Sequence, residues 1–486
     1  MKSGTKFAAN EIYAFVFGLF LGLCVLKFGN PVILDQKIYP PVSFSEYWSD
    51  AWPIHWVNWI LLPLAIIGAL IILSKDTALP WRNQTPQRQR YLKWLLLLPL
   101  LWIGWELLSA THTVDSTLTA ATLWQFFGCV ACYFIGLFLF RSPRALNLLL
   151  VGILIAFTIC LIRAIHQRAE FPQDAKFLLE GEHAGWTNIS PAMVLELKRD
   201  QTIITTNGVD VANPAIMAKF AKGRVMGTLV YPNALAGIIL LLFPVALVLA
   251  LNSSKNLRPI VRISAIGLTV ALCALAFFWS GSKFGWLLAL LITSVYLFRL
   301  QWPMKLKILV FAAVIVLGLG AFAIRFHTYF ANGATSTTAR FDYWRAAVQT
   351  TASHPLFGTG PGTFQRPYAQ LKSPDAEMAR LTHNDYLEQF SDSGVPGGII
   401  YAAWIIAALI FVGRNLWKSQ NQIIFAVFLG VLGWFIQGIG EFSLFIPALA
   451  WTAFVLLGCM LGWQNIEENP SSTAGRESIR QKNGPR

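Results

Sequence analysis

The sequence reads Thr337-Thr-Ala-Arg-Phe-Asp-Tyr-Trp344, then His354-Pro-Leu-Phe-Gly-Thr-Gly-Pro-Gly-Thr-Phe364 and then Thr382-His-Asn-Asp-Tyr-Leu387, all within one polar segment, Phe326–Gly394. Long apolar stretches flank this segment on both sides, as in a loop between two membrane-spanning helices. The loop contains a cation, a glycine-rich turn and a histidine. If it lies outside the cytoplasm, where ATP is absent, chemistry at these residues needs a substrate that carries its own activation.

The composition is that of a membrane protein. Of the 486 residues, 55% are hydrophobic and only 13% are charged. A soluble protein this apolar would expose large hydrophobic patches. The net charge of +14 would suggest nucleic acid as a partner of a soluble chain, but most Lys and Arg residues lie in short loops beside apolar stretches. We therefore expect the lipid bilayer as a partner, and no nucleic acid.

About twelve apolar stretches are long enough to span a bilayer, since one crossing needs about twenty residues. We predict an all-α polytopic membrane protein with a large, partly helical loop between the ninth and tenth transmembrane helices. Placing the N-terminus in the cytoplasm puts basic residues such as Arg141 and Arg144 inside, and the outside loop Ala110–Leu118 then has no Lys or Arg. The positive-inside rule therefore places the loop at 326–394 outside.

The chain divides into regions around this loop. A second long outside segment, His166–Gly227, contains Met193–Lys198 and Thr202–Thr206 on either side of Arg199-Asp200, a pattern that predicts a small hairpin. The predicted regions are 1–325 with transmembrane helices 1–9 and a periplasmic insertion at about 166–227, 326–394 as the large periplasmic loop, 395–464 with helices 10–12, and 465–486 as a disordered cytoplasmic tail.

The cysteines give no sign of a disulfide or a metal site. All six lie in apolar stretches, so we expect buried thiols. Cys129 and Cys132 form a CxxC pair, which we interpret as a coincidence of helix packing at this depth.

Three cations lie near the outer starts of predicted helices, where the charge bias disfavours them. Arg224 precedes a central spanning helix, Lys283 starts the next inward crossing, and Arg340 follows three candidate N-cap residues, 336–338. Together with the N–H groups exposed at helix starts, these cations could form a pocket for a diphosphate. For Arg224 and Lys283 the alternative is snorkelling to lipid headgroups.

Arg340 has its own alternative interpretation. A cation in the first turn of a helix opposes the helix dipole, which favours a role other than helix stability. A local ion pair with Asp342 or Asp385 would explain it equally simply.

His383 is the candidate base. We predict a helix here with Thr382 as N-cap and Asp385 completing a pattern like a capping box. The dipole at a helix start disfavours the protonated imidazole, and a neutral imidazole can accept a proton from a sugar hydroxyl. A histidine that only caps the backbone is the alternative.

The glycine turn and two acidic residues have weaker signals. The turn Gly358–Gly362 follows no strand and is not a nucleotide-binding motif; it either lets N–H groups approach an anion or simply breaks the chain. Glu106 and Glu441 lie near apolar stretches, where ionisable groups are costly and often functional. Either could pair with one of the outside cations.

The motifs resemble those of the O-antigen ligase and polymerase superfamily of bacterial envelope glycan enzymes. Arg224-x-x-Gly-x-x-x-x-Pro-Asn-x-x-Ala is similar to the motif ahead of the central helix of that superfamily. The run from Arg340 to Phe364 resembles the start of its large periplasmic loop, and His383-Asn-Asp-Tyr-Leu followed by Gly394 resembles its end.

The resemblance implies a GT-C-like membrane glycosyltransferase of the bacterial inner membrane, with a periplasmic active site and no metal or cofactor. Its donor would be a glycan on undecaprenyl diphosphate, and its acceptor either lipid A-core or another glycan. Arg224 and Arg340 would hold the diphosphate, and His383 would activate or orient the acceptor hydroxyl. Relatives usually carry arginine where this chain has Lys283. Lysine keeps the positive charge but lacks the bidentate guanidinium of arginine, which counts against a phosphate-binding role at this position. Supporting residues would be Asn233, Asn384, Asp385 and Glu441.

Two other functions stay open at this point. A transporter or channel for a small anion such as bicarbonate would use the outside cations as an attractor. A metal-dependent oligosaccharyltransferase would use Asp35, Glu46 or Asp50 of the first outside loop. The motifs do not distinguish a ligase from a polymerase or from transfer onto a protein, and they do not identify the sugar.

Overall fold

The computed structural model describes residues 8–74, 86–331, 335–417 and 419–467. Lys75 and Arg82 of the first predicted inside loop, and the predicted tail from residue 468 onward, lie outside the described residues. The described chain is helical apart from one pair of short strands, so the predicted all-α membrane fold is confirmed. The helices are α1 (Ala9–Lys27), α2 (Phe44–Ser49), α3 (His55–Ser74), α4 (Pro86–Ala110), α5 (Ser116–Leu139), α6 (Pro143–His183), α7 (Pro191–Arg199), α8 (Pro214–Lys222), α9 (Pro232–Ser253), α10 (Pro259–Ser280), α11 (Lys283–Arg299), α12 (Met304–Ala331), α13 (Thr335–Ser353), α14 (Gln365–Leu371), α15 (Asp385–Leu416), α16 (Gln422–Gln437) and α17 (Pro447–Glu467), with 3₁₀ turns at Val32–Lys37 and Ser443–Phe445.

Nine of the described helices are long and apolar enough to cross a membrane: α1, α3, α4, α5, α6, α9, α10, α12 and α15. The apolar helices α16 and α17 are shorter, and α11 is a 17-residue, predominantly apolar helix between α10 and α12. Helices α13 and α14 lie within the long polar segment, which also contains the last turn of α12 and the first turns of α15.

Close helix crossings hold the bundle together, as is typical of membrane proteins, in which small residues let backbones approach. At the α5–α17 crossing, a Cβ added to Gly136 would overlap the backbone oxygen of Val455, and one added to Gly458 would overlap that of Tyr133. Cys129 and Cys132 lie on the same helix α5. All six cysteines are buried and free, as predicted.

The insertion after α6 differs from its prediction. Helix α6 has 41 residues and continues well past the length of a membrane crossing. The segment from Met193 to Lys198 belongs to α7, because Ser190 caps the helix and Pro191 occupies its first position. The hairpin therefore consists of β1 (Ile203–Thr206) and β2 (Val209–Ala212), antiparallel in the register Ile203↔Ala212.

The α5–α17 crossing gives a stability prediction. We expect Gly136→Ala to lower the thermal unfolding midpoint of the detergent-solubilised protein by several degrees, because overpacking costs about 1–3 kcal/mol. The matched control is Gly267→Ala in α10, where an added Cβ would meet no atom within 4 Å. The control should unfold at the wild-type temperature or slightly above, since alanine favours a helix. Equal midpoints for the two variants would contradict this account of the crossing.

Candidate active site

A cavity of about 370 Å³ lies where helices α9 and α11 begin and beside the residues that precede α15. The positive ends of these helix dipoles therefore gather at one place. Six of the eight predicted site residues line the cavity, whereas Asn384 and Asp385 do not: the six are Arg224, Asn233, Lys283, Arg340, His383 and Glu441.

Glu441 connects most of these residues. Its side chain is only 4% exposed, and its Oε1 accepts hydrogen bonds from Arg340 Nη2 at 2.6 Å and from Asn233 Nδ2 at 2.7 Å. Its Oε2 lies 3.4 Å from His383 Nδ1. One buried carboxylate thus binds a cation and an amide of the candidate site and lies beside its imidazole, whose Nδ1 has no hydrogen-bond partner among the described residues.

Arg224 lies in the loop between α8 and α9 and is held by neutral groups. Its Nε donates to the Ser280 carbonyl at 2.7 Å, and its Nη2 donates to Asn233 Oδ1, also at 2.7 Å. Burial lowers the pKa of its guanidinium, but arginine stays charged in proteins. Among the described residues no carboxylate forms an ion pair with Arg224, so its charge is compensated only from a distance, by Glu441.

Lys283 is the first residue of α11, where the Ser282 hydroxyl caps the helix by accepting from Gly285 N. Its ammonium lies 3.8 Å from the centre of the Tyr329 ring and 5.6 Å from that of Phe326. These are cation–π contacts, which leave the positive charge in place. In the part of the chain that the structure describes, Lys283 has no ion-pair partner either.

Arg340 is placed differently from its prediction. The described part of α13 begins at Thr335, so Arg340 lies past the first turn, and the argument from the helix dipole is wrong. The alternative pairs with Asp342 and Asp385 are also absent, since Arg340 pairs with Glu441. Asp342 instead accepts from Arg345, one turn further along the same helix. Arg340 Nε is buried and has no hydrogen-bond partner among the described residues.

His383 precedes α15 rather than lying within it, so the predicted cap is wrong. Asn384 is the N-cap, and its Oδ1 accepts from Tyr386 N and Leu387 N at 3.1 and 3.0 Å. His383 has φ of +54°, a backbone conformation that is unfavourable for a residue with a side chain. The chain turns here because the backbone of Thr382 is held by α15: the Thr382 N–H donates to buried Glu388 Oε2 at 2.6 Å.

Aromatic rings enclose the imidazole. The Tyr343 ring stacks on it with centroids 5.9 Å apart, the Phe442 ring meets it edge-on at 4.7 Å, and the Tyr231 ring lies 5.9 Å away. With Nδ1 directed at Glu441, Nε2 is the nitrogen available to a ligand. Burial raises the pKa of Tyr231 to about 12, so this phenol is a hydrogen-bond donor at neutral pH.

Asp385 does not line the cavity but connects two segments that do. Its backbone N–H donates to the Gly438 carbonyl at 2.7 Å, and Leu444 N lies 3.2 Å from both of its carboxylate oxygens. These bonds join the start of α15 to the segment between α16 and α17, which carries Glu441. Asp385 therefore sets the distance between His383 and Glu441.

The glycine turn does not form an anion site. Residues 358–364 are buried, and their N–H groups are already bonded: Gly360 N to the Asp392 carbonyl at 2.8 Å and Gly362 N to Asp392 Oδ2 at 2.7 Å. The left-handed φ of +102° at Gly360 and the contact of that residue with Thr113 leave no room for a side chain. The turn docks the loop against α5 and α15.

The remaining acidic candidates lie elsewhere. Glu106 is fully buried in α4, where its Oε2 accepts from Ser393 Oγ at 2.5 Å, so it does not pair with an outside cation. In the first outside loop, Asp35 accepts from Ile54 N, and Glu46 accepts from Val42 N and pairs with Arg199. Neither these two nor Asp50 lines the cavity.

Sequence reasoning missed the residues that complete the cavity wall, namely Tyr231, Tyr343 and Glu377. Tyr343 could have been found, because it follows Arg340 by three residues and therefore shares its helix face. Glu377 gave no such signal, since it lies in an irregular segment between α14 and α15.

Comparison with known proteins bears on the same residues. No curated protein matches the chain. A family model described as O-antigen ligase matches residues 268–402, which include Lys283, Arg340 and His383. This family indicates a membrane enzyme that ligates or polymerises glycans. The match confirms the predicted resemblance to the O-antigen ligase and polymerase superfamily, with residues 268–402 as the segment that carries it.

Proposed function

We propose that the protein is a glycosyltransferase that moves a glycan from undecaprenyl diphosphate to an acceptor hydroxyl at the periplasmic face of the bacterial inner membrane. One observation carries the proposal. Arg224 and Lys283, neither of which has an ion-pair partner in the described chain, face the same cavity as Arg340 and His383. A diphosphate supplies the negative charge that these cations lack.

The reaction follows from this arrangement. The acceptor oxygen attacks the anomeric carbon, the bond from that carbon to the diphosphate oxygen breaks, and the acceptor proton moves to His383 Nε2. Glu441, 3.4 Å from His383 Nδ1, stabilises the imidazolium that forms. Arg224, Lys283 and Arg340 stabilise the charge that develops on the diphosphate. Direct displacement of this kind inverts the anomeric carbon.

The apolar part of the cavity suits the carrier lipid. Leu287 of α11 and Phe322 and Phe330 of α12 line it together with the cations. Phe326 is the only one of the described residues of helix α12 that is buried, so much of the surface of this helix is exposed. We place the start of the isoprenoid chain between α11 and α12, from where it can enter the bilayer.

An anion transporter remains the alternative function. It would need polar or charged groups along a path between the helices, beyond the cavity. The apolar side chains that α11 and α12 contribute to the cavity, Leu287, Phe322 and Phe330, support the transferase instead, because they match a lipid tail.

The first prediction of the proposed function concerns His383 and Arg340. With the purified protein, an undecaprenyl-diphosphate glycan and candidate acceptors, we expect His383→Ala to lower kcat by about 10²–10⁴-fold through loss of the base. We expect Arg340→Ala to lower kcat/KM by about 10²–10³-fold through loss of charge stabilisation. Arg345→Ala is the control, since it lies on the same helix, pairs with Asp342 and is absent from the cavity. Normal turnover by both cavity variants would refute the assignment.

The second prediction concerns stereochemistry. The product should have the opposite anomeric configuration from the donor, as NMR coupling constants of the new linkage would show. The rate should also persist in EDTA, because the proposed step uses only side chains. Retention of configuration would require double displacement or attack from the face of the leaving group, and either would refute direct displacement.

The third prediction concerns orientation. Cysteine at exposed Asp375, in the loop that precedes His383, should react with a membrane-impermeant maleimide in intact spheroplasts. Cysteine at exposed Lys255, between α9 and α10, should react only after permeabilisation. Background labelling should be low because the six native cysteines are buried. The reverse pattern would place the cavity in the cytoplasm and end the proposal.

A further inference from the structure

Glu377 is a carboxylate of the cavity that the proposed reaction does not use. It is exposed and lines the cavity wall. Tyr343 Oη donates a hydrogen bond to its Oε1 at 3.0 Å, while Oε2 has no hydrogen-bond partner in the described chain. No Lys, Arg or His among the described residues lies within ion-pair distance of it. Glu377 is therefore a fixed acceptor with one oxygen open to a ligand.

The position of Glu377 is also fixed through its backbone. Its carbonyl oxygen lies 3.1 Å from Tyr368 Oη. The rings of Tyr343 and Tyr368 meet edge-on with centroids 5.3 Å apart, so both phenols that contact Glu377 belong to one packed cluster on α13 and α14. Tyr343 therefore orients the carboxylate of Glu377, and Tyr368 contacts the backbone of the same residue.

The charge of Glu377 indicates which part of a substrate lies beside it. A diphosphate is repelled by the carboxylate of Glu377, which has no ion-pair partner among the described residues, and is attracted by Arg224 and Lys283, so it is favoured beside the cations. The cavity is therefore divided into a cationic part and a part with a hydrogen-bond acceptor. The groups that an open carboxylate oxygen binds best are donors, and on a glycan these are hydroxyls and amide N–H groups.

Tyr343 connects this acceptor to the candidate base. Its hydroxyl bonds Glu377, and its ring stacks on the His383 imidazole. A sugar ring that donates a hydrogen bond to Glu377 therefore lies beside the His383 imidazole, which takes up the proton of the attacking hydroxyl. Resting on the proposed function, we propose that Glu377, oriented by Tyr343, is a specificity-determining residue that binds a hydroxyl or amide N–H of a sugar ring next to the reacting atoms.

Either reacting glycan could supply this ring, and kinetics separate the two. The experiment measures transfer from the lipid-linked glycan extracted from the bacterium that carries this chain, with donor and acceptor varied in turn. We expect Glu377→Gln to raise one KM about tenfold with little change in kcat, because a charged hydrogen bond to the substrate is replaced by a neutral one. A rise in the acceptor KM assigns the subsite to the acceptor, and a rise in the donor KM assigns it to the donor sugar.

Three further measurements sharpen the test. Tyr343→Phe keeps the ring beside His383 but releases the carboxylate, and should raise the same KM by a smaller factor. Asp375→Asn, an exposed acid two residues away that does not line the cavity, is the control and should leave both KM values unchanged. Bare undecaprenyl diphosphate, which carries no sugar, should bind the wild type and Glu377→Gln equally.

The outcomes distinguish the subsite from the function on which it rests. If Glu377→Gln transfers glycan with both KM values within twofold of wild type, the subsite is overturned and the transferase stands. If Glu377→Gln instead changes the binding of bare undecaprenyl diphosphate, Glu377 belongs to the phosphate part of the cavity, and the subsite is again overturned. If the wild type itself neither binds undecaprenyl diphosphate nor transfers glycan, the proposed function fails.

Discussion

The buried carboxylate of Glu441 is the group on which the geometry of the candidate site depends. It accepts from Arg340 and Asn233 and lies beside His383, and Asn233 in turn accepts from Arg224. Removing a buried charge partner of this kind typically costs several kcal/mol, because the remaining charges lose their compensation. Three segments that are far apart in the chain, at residues 224–233, 340 and 383, thus meet through one side chain.

The same carboxylate explains why the cavity remains cationic. It compensates directly for only one of the three cations, which leaves Arg224 bonded to neutral groups and Lys283 resting on aromatic rings. Such an arrangement is costly without a ligand, and a multiply charged anion recovers the cost on binding. The helices that begin at the cavity add to the positive potential. Binding and transition-state stabilisation would then use the same groups.

Much of this could be predicted from sequence because a membrane restricts where charge can lie. The length of the apolar stretches predicted the membrane helices, and the departure of Arg224 and Lys283 from the charge bias marked them as candidates. The cavity contains both, together with Arg340 and His383. Their roles in catalysis remain predictions.

The rest depended on contacts between distant residues. Arg340 pairs with Glu441, 101 residues away, rather than with Asp342 or Asp385; the sequence suggested Glu441 as a partner of an outside cation but did not identify which one. The bonds of the glycine turn go to Asp392, so its anion-binding alternative could be excluded only from the structure. Local signals also placed the helix start two residues too early, because His383 adopts a left-handed turn and Asn384, not Thr382, caps α15.

The central claim is that the cations hold a diphosphate, and a cryo-EM structure of the protein with undecaprenyl diphosphate tests it most directly. The account predicts both phosphates within hydrogen-bond distance of Arg224 and Arg340, with the lipid chain leaving between α11 and α12. Phosphate density in another part of the molecule, with this cavity unoccupied at saturating lipid, would contradict it.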